Sequence, residues 1–427
     1  MSYKIAGIDV HKRILAVVMA EVEVYGEYEF ERRQFGTGPA QLRALAAWLL
    51  AGQVEEVVME STAQYWQPVW GALEQHWQPA CRKREGAGAS SGALHLAQAK
   101  SNQGPRGRKN DFVDAERLVK RLVANELRLS FVPEREQRLW RTVMRTKYQW
   151  RCNQVRLQNR LEALLEEAQI KLSSLLSDLL GVSGRRILEG LAAGETDPAV
   201  LAGLADPNLR ATHEQLCDAL EACRDLHPLY RRLLRMVLEE WQEIETRIRQ
   251  LDEEMAALLR AHQDQVQRLA EIPGLGVDSA QQIIAEVGAE ATPFPSPKDL
   301  ASWAGACPGE NQTAGVNASR RSPKGNRHLR RILNQAANAA VKFKGSIFAL
   351  LYHRYVPRHG HKKTIAIIAH RLCCLIWKIL HQGIRYEERG PAVSKKSSQK
   401  RAARMIRELR SLGYRVQLPT NPVANPA

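Results

Sequence analysis

Seven cysteines are spread through this 427-residue chain without one CxxC pair, and none has a histidine at zinc-finger spacing. A cysteine-built zinc module is thereby excluded, and free, mostly buried thiols are expected. No window holds the roughly 18 uninterrupted apolar residues of a membrane span, and the N-terminus enters a strand-like run without a signal-peptide pattern. A cytoplasmic protein with no membrane association is expected. The third absence is the most telling. From Asn311 to Tyr386 there is no Asp or Glu, while 15 Lys and Arg fall inside, close to the whole formal charge of +16. A solvated helix face normally mixes signs. A long acid-free stretch therefore reads as a phosphate-binding surface rather than a merely solubilising one, with nucleic acid as the partner class.

The acids that remain are placed with some order. Asp9 in KIAGIDVHK and Glu60 in VEEVVMEST end apolar runs that read as strands, Ile5 to Asp9 and Val54 to Glu60. Asp111 and Asp114 in RKNDFVDAERL stand three apart at the start of a helical pattern that Asn110 can cap, so they share one face. Strand ends fix a carboxylate in space, and one after a buried run needs a partner or a metal. Four hard oxygen ligands of this kind suit Mg²⁺ or Mn²⁺ and phosphodiester chemistry. The competing reading is ordinary: Asp111 and Asp114 as helix N-terminal acids favoured by the dipole. His11, two residues past Asp9, falls on the same strand face and near the proposed metal, though a lone histidine is more often a packing or surface residue.

Length predicts two or three domains. Residues 1–132 read as α/β, with three extended runs close enough for an antiparallel meander, a helix, the strand Glu56 to Glu60 and further helices. That is the order of a ribonuclease H-like fold. The segment Gly86 to Gly107, rich in Gly, Ala, Ser and Gln, reads as mobile. Residues 133–265 turn helical, with Leu157, Leu161, Leu164 and Leu165, then Leu233, Val237, Trp241, Ile244 and Ile248, at three- and four-residue intervals. This fits a helical pair or coiled coil that could carry a dimer interface, and equally a plain bundle. Trp140, Trp150 and Trp241 fall in that spacing as core or interface residues. Residues 266–390 read as a compact helical domain, opening on Ile272-Pro-Gly-Leu-Gly-Val277, a turn resembling a helix-hairpin-helix whose amides could meet a phosphate. The basic tail, 391–427, is expected to be largely disordered.

Several blocks together, GIDVHK, VEEVVMEST, KNDFVDAERL with LRLSFVP, SWAGACPGENQTAG and RRSPKGNRHLRR, resemble the DEDD transposases and recombinases of bridge-RNA-guided insertion sequences, to which the pilin-gene invertases belong. The resemblance covers residues 1 to about 135 and about 266 to 345, in the family's order. It implies a RuvC-like domain whose tetrad, Asp9, Glu60, Asp111 and Asp114, binds Mg²⁺. It also implies a C-terminal transposase domain that supplies a serine nucleophile, an active site shared between subunits of a dimer or tetramer, and a noncoding bridge RNA that pairs with donor and target DNA.

One position departs from that pattern. The family's serine stands before Gly or Ala-Gly in a PxxxxSG or PxxxxSAG block, and in Pro308-Gly-Glu-Asn-Gln-Thr-Ala-Gly315 the place is taken by Thr313. A threonine hydroxyl can attack phosphorus, although its β-branch crowds the approach. Thr313 is favoured here as nucleophile; Ser319 or Ser322 could substitute, or the protein could bind without recombining. Arg320, Arg321, Lys324, Arg327, Arg330 and Arg331 follow as phosphate contacts. Cations open the helix at Arg327, an unfavourable end for them, which calls for a compensating anion. The rival readings are a RuvC-like, metal-dependent junction nuclease in which water attacks, and an inactive nucleic-acid-binding relic.

Overall fold

A computed structural model describes residues 3–22, 28–60, 63–77, 94–102, 110–309, 311–313, 316–319 and 322–388, with residues 403, 406, 407 and 410 of the tail. Contacts divide the chain into two units, Met1–Arg135 and Glu136–Ala427. Most of the Gly86–Gly107 segment, Arg320, Arg321, Cys81 and nearly all of the tail lie outside the described residues.

The first unit is a mixed sheet of five strands in the order β3-β2-β1-β4-β5: β1 (Tyr3–Val10), β2 (Ile14–Val22), β3 (Tyr28–Gly36), β4 (Glu56–Glu60) and β5 (Leu94–Ala97). The first three form an antiparallel meander, and β1-β4-β5 run parallel. Alternation along β1 sorts its side chains. Ala6, Ile8 and Val10 join Val57 and Met59 in the larger core, which α1 (Pro39–Ala51) and α2 (Trp66–His76) cover. Ile5 faces the other way, with Val18 and Ala20, against Ala115 and Val119 of α3 (Asp111–Val123). Asp9 is in phase with Ile5, so the sheet delivers it to the face that α3 covers. Strand β5 falls inside the segment that reads as mobile; Leu94 to Ala97 pair in parallel with Val57 to Glu60.

Gly7 allows α3 to approach that closely. A Cβ there would lie 2.4 Å from the Ala115 carbonyl oxygen and 2.9 Å from Val119 Cγ2. With hydrogen in that place, the helix backbone rests directly on β1 and its first turn is held over the strand's end.

The second unit is helical. Two long helices, α4 (Arg135–Glu167) and α9 (Pro228–Leu258), flank the short helices α5 (Leu172–Leu175), α6 (Val182–Ala193), α7 (Pro198–Gly203) and α8 (His213–Leu220). Leu157, Leu161 and Leu165 of α4 and Leu234, Val237 and Ile244 of α9 share one core with Ile187, Leu188 and Leu191 of α6, with Trp150 and Trp241 at its edge. The periodicity that also fits a coiled coil is spent within the chain, on a bundle closed by short helices.

Beyond it come α10 (Gln263–Ala270), α11 (Val277–Val287), α12 (Pro297–Ala304), a hairpin of β6 (Asn311–Thr313) and β7 (Val316–Ser319), α13 (Arg327–Ala340) and α14 (Ile347–Gln382). The hairpin is an addition to the all-helical expectation. Gly274, in the turn between α10 and α11, has φ +87°, and a Cβ there would stand 2.4 Å from the Ala336 oxygen of α13. That turn is therefore packed against a helix. Helix α14 breaks at Gly360 (φ 71°, ψ 169°), three residues after Pro357. By length and composition it is long and apolar enough to cross a membrane. Its Ile365, Ile368, Leu372, Ile376 and Leu380 are buried, and it packs against α12 and α13. The six described cysteines are free.

Candidate active site

At the end of β1, Asp9 is 7% exposed. Burial pushes its carboxyl up to about 6, against the opposing pull of His11, and the charges of Glu60, Asp111 and Asp114 raise it further. All four acids singled out in the sequence thus share one field, and each arrives by a separate route. The β1-β4 register pairs Ile8 with Met59, so one residue on, Glu60 adjoins Asp9. Asp111 and Asp114 come from the first turn of α3, whose start is set by Asn110 Oδ1 accepting from Phe112 N at 3.1 Å.

Within this group the carboxylates are handled differently. His11 Nε2 lies 3.2 Å from Asp9 Oδ2 and 3.3 Å from Asp111 Oδ1, and ligand atoms of the three residues fall within 4.8 Å of one another. Glu60 Oε2 accepts from Asn102 Nδ2 at 2.8 Å, and Asp114 Oδ1 from Arg117 Nη1 at 2.5 Å. Arg117 also donates to the Asn102 carbonyl oxygen at 3.4 Å, which ties the two supports together. Asn102 is 4% exposed, and its Oδ1 has no partner among the described residues.

The donor set fits a hard divalent cation. Asp9, His11 and Asp111 bring ligand atoms within 4.8 Å of one another, Glu60 and Asp114 lie near enough for their charges to raise Asp9 but outside that cluster, and an unpartnered amide oxygen lies beside Glu60. A cation there would relieve the like-charge crowding on Asp9. The imidazole of His11 sits where it can orient a bound water or join the ligands, as the strand phase of Asp9 and His11 anticipates. Asn102 and Arg117 are absent from the sequence reading. Arg117 carried a usable signal, its i+3 spacing from Asp114; Asn102 carried none.

In the second unit, Thr313 is the last residue of β6 and pairs with Val316 of β7, while Ser319 pairs with Asn311 at the other end of the pair. Ser322 is exposed, as are Lys324 and Arg327. Arg330 Nη1 donates to the Pro323 carbonyl oxygen at 3.1 Å. The loop before α13 is fixed by glycines: a Cβ on Gly325 would lie 2.3 Å from Gly305 N. Asn326 caps α13, accepting from His328 N at 2.9 Å and Leu329 N at 3.0 Å, and donates Nδ2 to Glu286 Oε2 at 2.7 Å.

Glu286, on α11, is the anion at that helix start, and the sequence reading did not name it. It is 2% exposed and takes a bidentate pair from Arg145, both at 2.9 Å, with Arg141 Nε at 3.5 Å. Burial works to raise its carboxyl, and the Arg145 hydrogen bond with the Arg141 and Arg145 charges outweighs it, leaving it below the usual range. Burial in turn lowers Arg141 to about 10.

Family comparison supplies the class. A transposase model of the DEDD type for IS110 elements matches residues 6–170, the stretch that carries all four acids. A second, described as the transposase IS116/IS110/IS902 family, matches residues 266–353, which carry the hairpin and α13. Both stretches are thus IS110/IS116-family DEDD transposase domains. Among curated relatives, a protein of Sinorhizobium fredii named as transposase y4pF/y4sB is 29% identical over 41% of this chain and 46% of its own length. The uncharacterised insertion element IS110 protein of Streptomyces coelicolor is 28% identical over 34% of this chain and 35% of its own. The transposase for insertion sequence element IS1328 of Yersinia enterocolitica is 24% identical over 42% and 54%. The matched stretches thus span about a third to a half of these relatives.

Proposed function

We propose that the protein is an insertion-sequence transposase working as a site-specific DNA recombinase, with Asp9, Glu60, Asp111 and Asp114 as its metal site and Thr313 as its nucleophile. The observation that carries this is the convergence of all four acids at one end of a sheet, the site in the first unit, beside a family match that spans both units. A meander followed by parallel strands, in the order β3-β2-β1-β4-β5, supports reading the first unit as ribonuclease H-like.

Mg²⁺ or Mn²⁺, when bound, supplies Lewis-acid stabilisation of charge developing on phosphate oxygens. Asp9, Glu60, Asp111 and Asp114 would hold it, Asn102 and Arg117 steady the Glu60 and Asp114 carboxylates, and His11 would orient a phosphate or water. The Thr313 hydroxyl gives up its proton and its oxygen bonds to phosphorus, while the DNA's own ester oxygen leaves as a hydroxyl. Reversal onto a second strand's hydroxyl releases the protein and rejoins DNA. Lys324, Arg327 and Arg330, with Arg320 and Arg321, neutralise backbone phosphates.

Family resemblance extends the proposal to a noncoding bridge RNA that selects donor and target by pairing, and to a dimer or tetramer assembled through residues 133–265, between the catalytic domain (1–132) and the transposase domain (266–390). The test is reconstitution with the structured RNA flanking the gene and matched DNAs. Exchange should require Mg²⁺ and vanish in Asp9→Ala and Asp114→Ala, with folding retained. Binding without exchange by the unmodified protein would sink the enzymatic reading in favour of a nucleic-acid-binding relic.

A further inference from the structure

Arg331, in the second turn of α13, has no carboxylate on its guanidinium among the described residues. Its Nη2 donates to Gln282 Oε1 at 2.6 Å and its Nη1 to Gln335 Oε1 at 3.0 Å, both neutral, while Nε is buried without a partner among the described residues. The guanidinium lies 4.2 Å from the ring centre of Tyr148 on α4, and His328 meets that ring edge-on at 5.8 Å. Two amides and an aromatic ring therefore hold a cation in one geometry with its charge uncancelled.

That cation forms part of the wall of a groove of about 620 Å³ between α4, α11 and α13. Lys147, Tyr148, Arg151 and Arg156 line it from α4, Gln282 from α11 and Arg331 from α13. Lys147 is neutralised by Asp252 and Asp278, the latter being the acid on the wall. Arg151 and Arg156 are exposed and bonded to neutral Gln154 and Asn153, at 2.9 and 3.3 Å. The wall thus carries a net positive charge from Arg151, Arg156 and Arg331.

We propose that this groove seats an unpaired nucleotide of a nucleic-acid strand, its base against Tyr148 and its flanking phosphates on Arg331, Arg151 and Arg156. The proposal rests on the nucleic-acid reading above and adds a contact surface on α4, a helix that the sequence assigns to oligomerisation. A base inside a duplex has both faces covered by its neighbours, so only a splayed base reaches a half-buried ring between helices. A free nucleotide uses the arginines poorly. Arg156 lies eight residues from Tyr148, about 12 Å along the helix, so the row fits a continuing backbone.

The test is fluorescence anisotropy on the full chain with labelled single-stranded RNA, single-stranded DNA and duplex DNA of one sequence. Tyr148→Leu should weaken single-strand binding roughly tenfold and leave duplex binding unchanged, whereas Tyr148→Phe, which keeps the ring, should bind like the unmodified protein. Arg331→Gln and Arg151→Gln should each flatten the salt dependence of single-strand binding by about one counterion. Arg151 is exposed, so its variant probes the groove even if Tyr148→Leu fails to fold. A preference for RNA or for DNA names the source of the strand and supports the groove in either case. Unchanged single-strand binding in Tyr148→Leu and Arg151→Gln, or equal losses on duplex, overturns the groove and leaves the transposase reading standing. A chain that binds none of the three probes overturns that reading as well.

Discussion

Gly7 and Ala115 meet with no room for a side chain between them: a Cβ on Gly7 would stand 2.4 Å from the Ala115 carbonyl oxygen. The strand that carries Asp9 near its end and the helix that begins with Asp111 are therefore joined two residues from one carboxylate and four from the other. Gly7→Ala must push α3 off the sheet. It should destabilise the first unit by about 1–3 kcal/mol, the usual cost of overpacking, and weaken Mn²⁺ binding. Urea unfolding and calorimetric Mn²⁺ titration read the two effects, and an unaltered metal affinity would show that helix placement does not build the site.

Thr313 carries the proposed covalent step. Suicide-substrate DNA should trap a protein-DNA adduct that Thr313→Ala abolishes and Thr313→Ser restores, because serine keeps the hydroxyl and drops the β-branch. Free DNA ends without any adduct, still dependent on Asp9, would assign the attack to water and make the protein a junction nuclease. An adduct surviving in Thr313→Ala would move the nucleophile to Ser319 or Ser322.

Asn102 aims Glu60 without being an acid. Asn102→Ala removes the 2.8 Å donor from Glu60 and should cost roughly 10–100-fold in metal affinity or exchange rate, as supports of metal ligands do. Electron paramagnetic resonance of bound Mn²⁺ should broaden or shift in the variant. A spectrum and affinity matching the unmodified protein would reduce Asn102 to a packing residue.

Glu286 links stability to pH. Its folded carboxyl lies below the ordinary range, so the unfolded chain binds that proton more tightly. The stabilisation is complete above the unfolded value of about 4.3 and is lost as pH falls through the lower folded value. Glu286→Gln leaves Arg141 and Arg145 without their anion and should cost on the order of 3 kcal/mol at neutral pH. The gap between parent and variant should narrow as pH falls below the unfolded value of about 4.3. Urea titrations that stay parallel across that range would rule out the linkage.

How much of this was legible depends on how far each signal travels along the chain. Strands β1 and β4 announce themselves as apolar runs ending in an acid, and Asn110 with the apolar spacing behind it announces α3. For Thr313 and the arginines the family blocks alone suggest a role, and that role is a proposal. Strand β5 was hidden because four residues, Leu94 to Ala97, sit in a polar, glycine-rich stretch, and only pairing with β4 makes them a strand. Asn102 was hidden for the same reason: its role exists only once Glu60 is beside it. Glu286 carries no signal of its own, because its role exists only once α4 and α13 close over it. The β6-β7 hairpin, with strands of three and four residues, is too short to show a period.

The Glu286 cluster has a mechanical consequence. Arg141 and Arg145 come from α4, Glu286 from α11, and Asn326 is the cap of α13, so a single buried carboxylate clamps three helices at one point. Helix α4 runs 33 residues, about 50 Å at the usual rise, and its far half belongs to the bundle core. It is a lever whose fulcrum is Glu286. A displacement of the bundle end of α4 would be delivered, through that clamp, to the cap of the helix that carries Arg327, Arg330 and Arg331.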